Sequence, residues 1–520
     1  MPDLVLNRGE RVDARVPTPD NRSNTIAGPR STSLIIGRVI EEVVVLDRSN
    51  RNGGPSRRTF LVASGVGFAG LGFGRPSPAN ALEGRNNSVP AGQAKSTILF
   101  FLCGGASHLD TWDLKPDAPL EFRGPFQPIA TTAPGVRLSE HLPLLAEQAH
   151  HLAVVNSVGA SVSTNDHHAG YYYNLTGHQP DPSFLSLGND RTPQADDWPF
   201  MGTVVASRRP PHPQLVNAIT LPHKPSRAPY TRPGQFAAKL GVEHDPLYLM
   251  GDRAKPLSFQ VPALTLQAEV GPNRLLARRD LLHAIDGARN DLDRVADVRT
   301  YSTLEQKALS LLSSSRTTQA FDLIDEPEAI RARYGETING MSLLMARRLV
   351  EAGVPFITVF WMEDQEIANK CKSAGGWDTH GNNFNCLKEN LLPEFDRAFA
   401  GLIADLDDRG MLDETLLLVS SEMGRKPQIG DPRSGGESGG GRDHWTHCQS
   451  VLFAGGGIRG GQTFGSSDRV GAYPADRPLT PADVTHTVYH AMGVADLEAI
   501  DLEGRPFSLL AEGAPIRDLF

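Results

Sequence analysis

Apolar runs without alternation mark the strands of this chain. Ser96–Cys103 reads STILFFLC and stops at Gly104-Gly105, as a strand buried on both faces does before it opens into a loop. Leu152–Val158, Val354–Trp361, Thr415–Ser421 and Gln449–Ala454 have the same character, and Leu215–Leu221 has it more weakly. Between these runs the period changes. Asn273–Val298, Ser302–Ser313, Ile338–Ala352 and Asn385–Arg409 space apolar residues three and four apart, which predicts helices with one buried face, the last ended by Gly410. Pro481–Met492 reads as a further helix with Thr480 as its N-cap. Strands alternating with helices predict an α/β fold with a mainly parallel sheet and helices on both faces. Sheets of that kind carry their sites beyond the carboxyl ends of strands.

Ahead of the first strand the pattern is different. Ser56-Arg57-Arg58-Thr59-Phe60-Leu61 leads into a glycine-rich apolar stretch, Val62–Gly74, and then Ala79-Asn80-Ala81. This has the form of a twin-arginine export signal over 56–81, with a periplasmic or extracellular mature chain starting near Leu82. Residues 1–55 are longer than a signal's leading region and read as a disordered leader or a misassigned start. The domain proper runs over 96–497, with a largely helical insertion at about 205–335 and a C-terminal tail at 498–520.

Composition narrows the partners. The 520 residues hold 51 Lys+Arg against 60 Asp+Glu, for a formal net charge of −9, which argues against nucleic acid. No apolar run reaches the ~20 residues of a membrane span. Four cysteines make no disulfide scaffold. Cys371 and Cys386 could pair in an oxidising compartment, and Cys103 reads as a small buried hydrophobe.

The chemistry gathers beside the predicted strands. The first opens into Gly104-Gly-Ala-Ser-His-Leu-Asp-Thr-Trp-Asp113, which carries Ser107, His108, Asp110 and Asp113. The second leads to Thr164, His167 and His168. After the strand at 354–361 comes Gly375-Gly-Trp-Asp-Thr-His380, where Asp378 and His380 stand two apart and project to one side of an extended backbone. Thr415–Ser421 ends in Glu422 and Arg425, and Arg442-Asp-His-Trp-Thr-His447 delivers His444 just before the next strand. Mixed carboxylate and imidazole donors suit one or two divalent ions, Zn, Mn or Fe ahead of Ca or Mg. Gly436-Glu-Ser-Gly-Gly440 spells GxSxG, but in a flexible loop rather than a strand-to-helix elbow.

Together the twin-arginine leader, the Gly104–Asp113 run, Arg347-Arg-Leu-Val-Glu-Ala-Gly-Val-Pro-Phe356, Gly-Gly-Trp-Asp-Thr-His and Ser-Glu-Met-Gly-Arg resemble the exported family called domain of unknown function 1501. That family is similar to the alkaline-phosphatase-like superfamily of sulfatases and phosphatases. The resemblance implies a three-layer α/β/α sandwich, a metal centre of one or two ions, and a Ser, Thr or modified Cys nucleophile. Carried over, Asp110 or Asp113 is the first ligand, Asp378 and His380 are the middle pair, and His444 is the final His. Glu422-Met423 occupies the place of an Asp-His pair, and His167 or His168 replaces the lost imidazole. Ser107 or Thr164 is the attacking group, unless a metal-activated water attacks directly. The formylglycine signature C-x-P-x-R is absent.

Two functions follow. One is an exported hydrolase of phosphate or sulfate esters on small molecules or polysaccharides, with Arg425 or Arg442 clamping the anion. The other is a non-catalytic exported binding or structural protein with a degenerate site and exported protein partners.

Overall fold

Eight strands pair into one sheet, six of them from the apolar runs of the sequence. The structure, a computed structural model, describes residues 92–520 apart from 160–163, 213–214, 228–229, 262–320, 322, 372–374, 431–439 and 502–503. The strands are β1 (Ser96–Phe101), β2 (Leu152–Val158), β3 (Ala218–Leu221), β4 (Leu247–Tyr248), β5 (Phe356–Phe360), β6 (Thr415–Ser420), β7 (Gln449–Ala454) and β8 (Gln462–Phe464). Their spatial order is β8-β2-β7-β6-β1-β5-β3-β4. β1 is central, parallel to β5 with Phe101 opposite Phe360, and to β6 with Phe101 opposite Ser420. β7 alone is reversed, antiparallel to β6 and β2, whereas the remaining pairings are parallel. That reversal brings the start of β7 to the edge where β1, β2, β5 and β6 end.

Adjacent residues of β1 identify the two outer layers, because neighbouring side chains leave a strand on opposite faces. Phe100 packs on Phe395 and Phe399 of α5 (Leu392–Asp408). Phe101 packs on Tyr171 of α1 (His167–Thr176). With α5 lie α3 (Glu328–Tyr334) and α4 (Ile338–Glu351); with α1 lie α2 (Met201–Ser207) and α6 (Pro481–Ala491). Phe200, the N-cap of α2, meets Phe356 of β5 edge to face, on the Phe101 side of the sheet. The result is a three-layer α/β/α sandwich, as expected. Thr480 opens α6 with a capping box closed by Asp483.

Several boundaries differ from the sequence reading. The helix expected over Asn385–Arg409 begins at Asn383 and contains a π-turn, Leu387–Leu391, just ahead of Pro393; a proline has no N–H for the preceding turn. Part of the stretch read as a helical insertion supplies β3, β4 and a hairpin (Met250–Asp252 with Lys255–Gln260) instead. Runs that short carry too few periods to separate strand from helix. The region read as a tail folds back, burying Leu509, Leu510, Leu519 and Phe520 in the core. The helices expected at Asn273–Val298 and Ser302–Ser313, the export signal and the leader lie outside the described residues.

Candidate metal centre

Local chemistry sets each donor in place at the strand ends. Beyond β2, Asp166 caps α1 by accepting from the backbone N–H groups of His168 and Ala169, which makes His167 the first helical residue. Beyond β5, the 375–380 loop docks onto the end of β1, where Trp377 N donates to Cys103 O at 2.9 Å. Gly104 permits this contact: its φ is +117°, and a Cβ there would fall 2.2 Å from Asp378 N. Gly441 is equally constrained, since a Cβ would meet His380 O at 1.3 Å. Past it, His444 and Trp445 pair with Gly424 and Arg425 in a two-residue ribbon.

Three ligand atoms then meet. His380 Nε2 lies 2.9 Å from Asp378 Oδ1, His444 Nε2 lies 3.1 Å from the same oxygen, and the two nitrogens are 3.0 Å apart. Donors around one cation with bonds of roughly 2.0–2.1 Å stand about 3.0–3.4 Å from each other, so the triangle has the size of one face of a coordination shell. His167 Nε2 approaches Asp378 Oδ2 at 3.4 Å from the other side. Two overlapping groups of donors result, His167/Asp378/His444 and His380/Asp443/His444, sharing His444.

The far side of each ring explains why its Nε2 is free to ligate. His167 Nδ1 faces Glu422 Oε1 at 2.8 Å, His380 Nδ1 faces Asp443 Oδ1 at 3.3 Å, and His444 Nδ1 faces the Asn165 carbonyl at 2.9 Å. An acceptor there holds the proton on Nδ1 and turns the Nε2 lone pair inward, the outer-shell arrangement of metal-binding histidines. Asn165 reaches that position with a φ of +47°. Glu422 is itself fixed by Gly104 N at 2.8 Å and by Ser421 Oγ at 3.1 Å. This donor set fits a divalent cation of the Zn, Mn or Fe kind.

Electrostatics point the same way. Burial disfavours the Asp378 carboxylate, but Arg425 and the three imidazoles hold its pKa well below the usual range. Burial would likewise drive the proton off His167, yet its bonds to Asp378 and Glu422 prevail and push its pKa up to about 9. Without a metal the imidazolium supplies the positive charge that a cation would bring. Below about pH 9, binding at His167 Nε2 must therefore displace a proton. Apparent zinc affinity is expected to rise at least about tenfold per pH unit from pH 6 to 8, the slope for the one proton released at His167. Competition with a chelator at three pH values checks this, and a flat profile would contradict it.

The other residues singled out in the sequence go elsewhere. Asp110 is fully buried and bound by Arg442, through Nε at 2.7 Å and Nη2 at 3.0 Å, by Asn383 Nδ2 at 3.0 Å and by Ser107 Oγ at 2.6 Å. Ser107 thus points at Asp110, not at the imidazoles. Asp113 bonds Lys115 at 2.8 Å and Ser467, and His168 turns Nδ1 to the Arg191 carbonyl at 2.9 Å. Thr164 accepts from Asp166 N at 3.3 Å. Arg425 is fully buried, its nitrogens given to Asp378 and to the carbonyls of Gly104, Gly105, Trp377 and Arg442; it keeps its charge inside the fold rather than offering it outward. Glu422 stands behind His167, one bond removed from the donor cluster. Asp443 and Asn165 were not singled out from the sequence, although the adjacent pair Asp443-His444 was a readable signal. Cys103 and Cys448 are free and buried, and Cys386 is disulfide-bonded.

The model of a family described as a protein of unknown function (DUF1501) matches residues 94–520. No curated protein matches the chain. Among solved structures, a sulfatase from Pseudoalteromonas sp. is 15% identical with a TM-score of 0.36, over 77% of this chain and 68% of that one. A phosphonate monoester hydrolase from Silicibacter pomeroyi is 12% identical with a TM-score of 0.37, over 81% and 76%. Alkaline phosphatase from the Antarctic bacterium TAB5 is 11% identical with a TM-score of 0.32, over 77% and 98%. Likeness at this level assigns neither substrate nor reaction.

Proposed function

We propose that this chain, which belongs to the DUF1501 family, is an exported metal-dependent hydrolase of phosphate or sulfate esters. The observation that carries the reading is the triangle of His380 Nε2, His444 Nε2 and Asp378 Oδ1, with edges of 2.9–3.1 Å, at the edge of a mainly parallel sheet where its parallel strands end. The reaction class is what the resemblance to the DUF1501 family, itself similar to the alkaline-phosphatase-like superfamily, implies. A divalent cation there would offset charge developing on the ester oxygens and lower the pKa of an attacking water. The chain's own part is to fix the donors. Glu422, Asp443 and the Asn165 carbonyl hold the ring protons away from the metal side, and Arg425 keeps Asp378 ionised. Export is supported by the 56–81 signal and by the bonded state of Cys386, since disulfides persist in oxidising compartments. No helix among the described residues is long and apolar enough to cross a membrane.

A non-catalytic binding protein on the same fold has one observation in its favour. Among the described residues no hydroxyl hydrogen-bonds to His167, Asp378, His380 or His444. Screening metal-loaded protein from Leu82 onward against aryl phosphates, aryl sulfates and sulfated oligosaccharides separates the readings. Turnover that depends on bound metal supports the hydrolase. Bound metal without turnover on any ester class would favour the binding protein.

A further inference from the structure

Next to the donor cluster lies a cavity that none of its residues' roles so far explains. It measures roughly 250 Å³ and is lined by Tyr171, His223, Ser226, Arg232, Met362 and Glu363, with Pro225. Arg232 is 7% exposed, and its Nη1 has no hydrogen-bond partner among the described residues. The guanidinium sits 4.8 Å over the Tyr171 ring, and no carboxylate among the described residues forms an ion pair with it. His223 Nδ1 is also buried without a hydrogen-bond partner among the described residues. A buried cation with unmade hydrogen bonds is costly, and a fold that keeps one gains by having a ligand complete it.

The cavity is coupled to the metal centre by position. Tyr171 lies four residues after His167 on α1, so both face inward from the same helix. Glu363, just past β5, feels the charges of Arg232, Glu422, His167 and Asp378. Burial pushes Glu363 up to about 7, so below that pH it would meet an anion as a neutral donor.

We propose that this cavity is an anion subsite that takes a second acidic group, a sulfate, phosphate or carboxylate, carried by the molecule whose ester occupies the metal centre. The fork of Arg232 matches such oxyanions in two parallel bonds. Smaller than the roughly 300–1,000 Å³ of drug-sized pockets, the cavity suits one acidic group on a sugar ring. The proposal rests on the ester-hydrolase reading for what the anion is attached to, but the binding itself does not. It makes the substrate a multiply charged ester.

The test is ligand-dependent melting of the metal-loaded mature chain at constant ionic strength, with glucose 3,6-disulfate, glucose 6-sulfate and glucose as probes. The disulfate, which has an acidic group for each site, is expected to raise the Tm with a half-maximal response at least about tenfold below that of glucose 6-sulfate, the weight of one forked guanidinium contact, and glucose is not expected to raise it. Arg232→Met should remove that difference and keep the response to glucose 6-sulfate, which the metal centre alone can hold and which shows that the variant is folded. Three results would overturn the assignment: no response to either ester in wild type, equal potency of the two esters in wild type, or a difference that survives in Arg232→Met. A disulfate preference that Arg232→Met removes, on a protein that hydrolyses no ester, would count against the hydrolase reading alone.

Discussion

Asp378→Ala is expected to empty the metal centre and abolish ester hydrolysis together. Asp378 Oδ1 is the atom that both His380 Nε2 and His444 Nε2 approach, at 2.9 and 3.1 Å, and Oδ2 faces His167. Removing the carboxylate leaves imidazoles around a void and strips the fully buried Arg425 of its only side-chain partner among the described residues. Some lost stability is therefore expected too. His444→Ala separates the two effects, since it deletes the donor common to both ligand groups and leaves the Asp378–Arg425 pair alone. Both variants should lose metal affinity by more than the 10–100-fold that an outer-shell replacement costs. Metal content by mass spectrometry, read beside turnover on aryl phosphate and sulfate esters, decides the matter. A folded His444→Ala protein with full metal and full activity would refute the site.

Much of this centre was legible because strand ends are legible. Ser96–Phe101, Phe356–Phe360 and Thr415–Ser420 are buried throughout and mostly apolar, so the loops that follow them could be named before their geometry was known. The sequence pattern carried no sign that β7 runs backward, yet that reversal is why a loop preceding a strand joins loops that follow strands. What stayed hidden depends on partners far along the chain. Asp110 and Asp378 are the same residue type in similar glycine-led loops. One is taken by Arg442, 332 positions away, and the other is ringed by imidazoles. Arg232 was invisible for a different reason. Its interest lies in a buried Nη1 with no hydrogen-bond partner among the described residues, which no local pattern encodes.

Asp110→Ala gives the second large effect, and of a different kind. Asp110 and Arg442 are both fully buried, and their paired contacts at 2.7 and 3.0 Å leave neither charge in water. Arg442 also reaches the Phe122 carbonyl at 2.7 Å and the Pro427 carbonyl, so it cannot swing out to solvent when its carboxylate is removed. Breaking one side of a buried pair costs about 3–5 kcal/mol, and urea denaturation should show a loss of that size. The next two residues after Arg442 are Asp443 and His444, so the ion pair anchors the segment that brings in the donor His444 and the carboxylate that orients His380. If Asp110 is such an anchor, folded Asp110→Ala protein keeps its metal stoichiometry, binds more weakly, and unfolds far more easily. If instead Asp110 is a direct ligand, one of the two assignments (Asp110 or Asp113) that the family resemblance implies, stoichiometry falls as well. The buried pair is lost in either case, so metal content of the folded variant is what discriminates the two roles.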